Sequence, residues 1–139
     1  MYDKTVTLFC RYEDRWYPTV LHSVDLNTDK AAILAKYGRE SQDNAALHIR
    51  YHLRDGAKMI GEKRWLPPKE WSAAPGEALT LKSGDFFWQG AWPDEAPVDD
   101  ALYTEGFYDH MAKSYDFVFR ISTVGGPYSL IPHFEIMGR

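Results

Sequence analysis

The 139-residue chain has a single cysteine, Cys10, so an intramolecular disulfide is excluded and a reducing compartment is expected. Cys10 falls in line with Val6 and Leu8 in an alternating segment, which predicts a buried, inert thiol and not a nucleophile. No apolar run approaches the roughly 20 residues that a membrane helix needs. Residues 1–4 lead straight into a strand pattern instead of a signal peptide, so a soluble, unprocessed chain without a membrane partner is expected. Repeats, low-complexity tracts and linkers are all missing, which predicts one domain over residues 1–139. That length should bury roughly 68% of the surface its unfolded form exposes. A phosphate-cradling loop is missing as well. Gly125-Gly126-Pro127 leads into extended residues, and no helix follows whose N-terminus would hold an anion.

Positive charge is missing from one long stretch. Between Gly84 and Ala112 there is no Lys or Arg, while Asp85, Asp94, Glu95, Asp99, Asp100, Glu105 and Asp109 supply seven negative charges. The rest of the chain carries sixteen Lys and Arg against thirteen Asp and Glu, a net of +3, within a total of −4. A net negative charge argues against nucleic acid as a specific partner. Segregated charge suits head-to-tail contact between copies or partners.

What is present is alternation. Val6, Leu8, Cys10 and Tyr12 oppose Thr5, Thr7, Phe9 and Arg11; Glu13-Asp14 turns the chain, and residues 16–26 return with Pro18 at an edge or bulge. A helix is predicted over residues 29–36, capped at Asn27 or Thr28 and closed by Gly38. In residues 44–53, Leu47, Ile49, Tyr51 and Leu53 face in while His48, Arg50 and His52 face out, before an Asp55-Gly56 hairpin turn. Trp65 to Trp71 reads as an ordered, proline-rich loop covering the core. Residues 79–81 and 86–88 read as short strands, 91–101 as a loop, and 103–114 as a helix with Phe107 and Met111 on one side, weakened by Gly106. Tyr115, Phe117, Phe119, Ile121 and Thr123 share a face, and Gly125-Gly126-Pro127 is predicted to turn the closing hairpin. The sum is a mainly β chain, a partly open barrel or sandwich of seven to eight strands with two short helices and an acidic insertion at about 89–114. Bulky inward residues leave no expectation of a ligand cavity.

Catalytic and metal chemistry find little support. His48 and His52 lie four apart on one strand, about 13 Å from each other and too far to share an ion. His22, His110 and His133 have no ligand spacing, and the acids around Asp94 do not match a calcium loop. No catalytic residue, metal or cofactor is predicted. The aromatic content is 15%, and Trp65, Trp71, Trp88 and Trp92 cluster near prolines around the acidic segment. Trp88, Trp92, Asp94, Glu95, Asp99, Asp100, Tyr103 and Glu105 are therefore the candidate interaction surface.

The order of features resembles the small virion proteins encoded in the head-to-tail module of tailed phages and prophages of Gram-positive bacteria. The similar parts are residues 5–12, residues 16–21 with Val24, Leu81-Lys82-Ser83-Gly84-Asp85, Ile121-Ser122-Thr123-Val124, and the ending His133 to Arg139. They cover about half the chain; residues 84–112 match poorly. The resemblance implies a head-closure or head-tail joining protein, a small β-barrel that assembles as a ring between portal and tail without enzymatic activity. Its partners would be copies of itself and neighbouring virion proteins, in the bacterial cytoplasm during assembly and then in the virion. The alternative is a small carbohydrate- or ligand-binding β-module that stacks its ligand on Trp65, Trp71, Trp88 or Trp92. A hydrolase using paired acids would require two carboxylates roughly 5 to 9.5 Å apart across a cleft.

Overall fold

Strands β1 (Lys4–Tyr12) and β2 (Arg15–Asn27) form the opening hairpin, turning at Glu13 and Asp14 as the sequence predicts. The computed structural model describes residues 1–28 and 43–139; the helix expected over residues 29–36 lies outside them. The next strand of the barrel is β3 (Ala45–Arg50), followed by a separate three-stranded meander of β4 (His52–Arg54), β5 (Ala57–Ile60) and β6 (Lys63–Arg64). A one-turn helix α1 (Pro68–Trp71) precedes β7 (Phe86–Trp88) and β8 (Val98–Asp99). Helix α2 (Phe107–Ser114) leads into the closing pair, β9 (Val118–Tyr128) and β10 (His133–Gly138).

The order β1-β7-β9-β10-β3-β2, with β2 returning to β1, closes a six-stranded antiparallel barrel, and β8 is an extra strand on the outer edge of β2. Closure is possible because β2 bends. Its residues from Arg15 to Val24 pair with β1, its last three residues pair with β3, and the register with β1 slips by one residue near Ser23, whose φ of 57° marks the bulge. β10 lies between β9 and β3, so the end of the chain completes the ring of hydrogen bonds. Gly138 fits there because it has no side chain: a Cβ would stand 3.1 Å from that of Phe119 and 3.3 Å from the Phe87 ring.

Strand β1 is buried on both faces. Val6, Leu8 and Cys10 point into the barrel with Leu47, Ile49, Ile121, Phe134 and Ile136. Phe9 points outward, yet it is also fully buried, in a second cluster with Trp16, Phe86, Phe107 and Met111. Phe9 stacks on Phe86 at 4.7 Å and meets Phe107 edge-on at 5.2 Å. Each large side chain so buried contributes about 1.5–3 kcal/mol of transfer free energy. The acidic insertion is thus anchored to the outer wall of the barrel by its own aromatics.

Several expectations are corrected. Gly125-Gly126-Pro127 is not the hairpin turn; these residues lie within β9, and the chain turns at residues 129–132. Glycine and proline are tolerated there because the ladder carries a bulge: Glu135 faces Gly125 but His133 faces Tyr128, and Gly126 takes the extra residue at a φ of 104°. Tyr115 and Phe117 do not share the buried face of Phe119 and Ile121. Both are exposed, since β9 begins only at Val118 and Phe117 has a φ of 61°. Leu53 is 64% exposed, because the chain breaks at Tyr51 and β4 joins the meander instead of extending the barrel. Residues 79–81 are buried but form only a bridge from Leu79 to Trp65. Gly106, at a φ of 90°, is the cap of α2, so the helix starts four residues later than expected.

Candidate functional site

The acidic segment is held at defined points along its length. Thr7, a buried hydroxyl on the outer face of β1, donates to the Gly90 carbonyl at 2.8 Å and accepts from the Trp92 amide at 2.9 Å. Asp100 Oδ1 accepts from Trp16 Nε1 and from the Phe107 amide, each at 2.9 Å, and Arg11 stands 3.7 Å from Oδ2. These contacts hold the Asp100 carboxyl below its ordinary pKa, the Phe107 amide contributing most and Trp16 next. Trp88 and Trp92 are half-buried; Trp88 lies against Tyr115 at 5.1 Å and Trp92 against Phe9 at 5.5 Å. Tyr103 packs on Phe107 at 5.0 Å and on His110 at 4.6 Å.

Of the predicted contact residues, therefore, Trp88, Trp92, Asp100 and Tyr103 are anchors. Asp94, Glu95, Asp99 and Glu105 are exposed. Asp99 also accepts from the Ala101 amide at 3.0 Å, and Glu105 pairs with Lys113. Only Trp92, Asp94 and Glu95 meet at a common concavity.

That concavity is a groove of about 610 Å3, unexpected from the pattern of inward residues. Its floor is β2 from Pro18 to His22, one wall is the β5–β6 turn from Ile60 to Lys63, and the other carries Trp92, Asp94 and Glu95. Among the described residues, β2 has β8 beside it only at Arg15 and Trp16 and β3 only from Asp25 onward, so the floor between them is a strand with one edge unpaired. Glu62, Asp94 and Glu95 make the rim acidic. Lys63 reaches in to donate to Thr19 Oγ1 at 3.0 Å, and burial pushes its ammonium below the usual lysine pKa. The groove lies outside the barrel, whose interior is filled by side chains.

The other tryptophans are placed differently. Trp71 is buried and donates to the Ala78 carbonyl at 2.9 Å, while Trp65 packs on Phe134 at 5.1 Å. Neither lines the groove, and neither does Trp88. Cys10 donates its thiol hydrogen to the Thr80 carbonyl at 3.3 Å, and burial pushes it up to about 12, so it is not a nucleophile. Asp85, 2% exposed, is paired with Lys82 at 2.5 Å and accepts from the Arg11 amide at 3.1 Å.

One constellation escaped the sequence reading. His48 and His52 are on different strands, but His48 on β3 faces Glu135 on β10, and His133 precedes Glu135 by two residues on the same face. The ligand atoms of His48, His133 and Glu135 all lie within 4.8 Å of one another. The signal was present as His133-Phe134-Glu135, an alternation that puts a nitrogen and a carboxylate side by side. Missing was the register that brings His48 opposite.

The family model described as "Family of unknown function (DUF6751)" matches residues 1–139, and the chain belongs to that family. No curated protein and no solved structure matches it.

Proposed function

We propose that this member of the DUF6751 family is a structural adaptor of a phage or prophage virion, joining head to tail by self-association and by docking on neighbouring virion proteins, without catalysing a reaction. The observation that carries the docking reading is the edge of β2 at the floor of the groove, which has no partner strand among the described residues. An extended segment laid on such an edge gains main-chain hydrogen bonds, and pockets beside it select alternate side chains. The acidic rim of Glu62, Asp94 and Glu95 favours a segment bearing Lys or Arg. The head-tail assignment rests on the resemblance of the opening hairpin and the final strand. The protein would act in the bacterial cytoplasm during assembly and then in the virion.

The test is native mass spectrometry of the chain over a range of concentrations, alone and with the portal and tail-completion proteins of its own genetic element. A ring or a docked complex is expected. Asp94→Lys/Glu95→Lys should abolish docking while leaving the chain folded, because both side chains are exposed. A monomer in every mixture overturns the reading.

A carbohydrate- or ligand-binding module is the second reading, and what favours it is the groove with Trp92 on its wall. Glycan binding that Trp92→Ala removes, with no complex formed among the virion proteins, would decide for it.

A further inference from the structure

The geometry points to a transition-metal site on the outer wall of the barrel, formed by His48, His133 and Glu135 and taking one zinc-like divalent ion. The hydrogen bonds of His133 fix its tautomer. Its Nδ1 is 2.6 Å from the carbonyl oxygen of Ile131, and a carbonyl has no proton to give, so Nδ1 carries the hydrogen. In the neutral ring Nε2 is then a lone pair. It stands 3.3 Å from Glu135 Oε1, another acceptor. Two acceptors facing each other need positive charge between them, supplied either by a proton on Nε2 or by a cation.

A third donor is at hand. His48 lies opposite Glu135 across the β3–β10 ladder, its ring nearly parallel to that of His133, 14° apart in plane and 6.0 Å between centroids. Two imidazoles and one carboxylate form a donor set that suits zinc and its first-row neighbours, whereas calcium and magnesium prefer oxygen alone. A histidine whose other nitrogen is held by a backbone carbonyl is the usual arrangement around such an ion, because the carbonyl selects the tautomer and aims the ring. Tetrahedral ligands at about 2.0–2.1 Å from a metal are about 3.4 Å apart. The largest separation here, up to 4.8 Å, therefore closes by side-chain rotations of about 1 Å. All three residues are half-buried, which leaves a fourth position open to water or to a group from a neighbouring molecule.

The surroundings bear on strength. Asp25 on β2 is the other cross-strand neighbour of His48, adding negative charge. Arg50 is opposite His133 on β3, but its guanidinium is stacked on Tyr2 at 4.0 Å, and the Tyr128 ring is 5.0 Å from that of His133.

The experiment is titration of untagged, chelator-treated protein with zinc by calorimetry and with cobalt(II) by visible absorption. One equivalent should bind, with the intense bands of a low-coordinate nitrogen-oxygen site. His133→Gln and Glu135→Gln should each weaken binding by about tenfold or more, as should His48→Ala. His22→Gln and His110→Gln should not. Circular dichroism checks that every variant folds, and the wild-type titration stands without any variant. Failure of the wild type to take up one equivalent overturns the site, as does unchanged affinity in folded His133→Gln/Glu135→Gln. Weak binding lost equally in the His22 and His110 controls also counts against it.

Discussion

The Trp16 indole nitrogen donates to Asp100 Oδ1 at 2.9 Å, across 84 positions of sequence, and this oxygen also accepts the amide that starts the second helix. One carboxylate from the acidic segment thereby joins the barrel wall to the helix that covers it. Trp16 is fully buried, so loss of its acceptor leaves a desolvated donor behind. Asp100→Ala should cost about 2 kcal/mol in urea denaturation. The pH dependence follows from the direction of the shift. The folded carboxyl titrates below its unfolded value, so its contribution is complete above about pH 4 and is lost as the pH falls through the folded value. The stability difference between wild type and Asp100→Asn should shrink below that pH; a constant difference would refute the assignment.

Asp85 behaves in the opposite sense. Burial raises its pKa even though Lys82 sits 2.5 Å away and partly offsets the shift. A carboxyl whose folded pKa is raised holds its proton more readily when folded, so it costs stability as the pH rises above the ordinary carboxylate range. Lys82→Met leaves this charge buried and unpaired, at a cost of about 3–5 kcal/mol. Lys82→Met/Asp85→Asn should recover most of the loss and flatten the pH dependence of denaturation above the ordinary carboxylate range.

Cys10 is 1% exposed and its pKa is pushed up to about 12 by burial. Disulfide-exchange reagents should not label it at pH 8 in the folded protein. Labelling should appear with denaturant in step with loss of near-ultraviolet circular dichroism. Fast labelling without denaturant would mean that β1 opens locally.

Ile131 sits at a φ of 54° in the turn between the last two strands and is 75% exposed. A β-branched residue is strained in that region, by about 1–2 kcal/mol, whereas asparagine tolerates it. Ile131→Asn should raise stability by about 1 kcal/mol by chemical denaturation, and it keeps the carbonyl that fixes the His133 ring.

The β character and the first hairpin were legible because alternation is a local signal. Residues 4–12 and 15–27 carry it with a two-residue polar turn between them. The Gly-Gly-Pro segment misled for the same reason: locally it reads as a breaker, and only the ladder on either side shows that a bulge accommodates it. Of the proposed contact residues, Asp94 and Glu95 are exposed at the groove. Trp88, Asp100 and Tyr103 are consumed in packing, while Trp92 both packs on Phe9 and lines the groove. Aromatic and acidic residues serve equally as anchors and as contacts, and composition does not separate the two.

By itself, the sequence determined which residues alternate, where charge is segregated, and that Cys10 and the apolar faces of the strands go inside. All of these follow from side-chain chemistry at one or two positions' remove. Tertiary structure alone decided that the barrel closes, that among the described residues one edge of β2 is left without a partner strand beside a groove, and that His48 meets His133 and Glu135. Those facts depend on strand register and on which strands become neighbours, and a shift of one residue would turn each side chain to the opposite face.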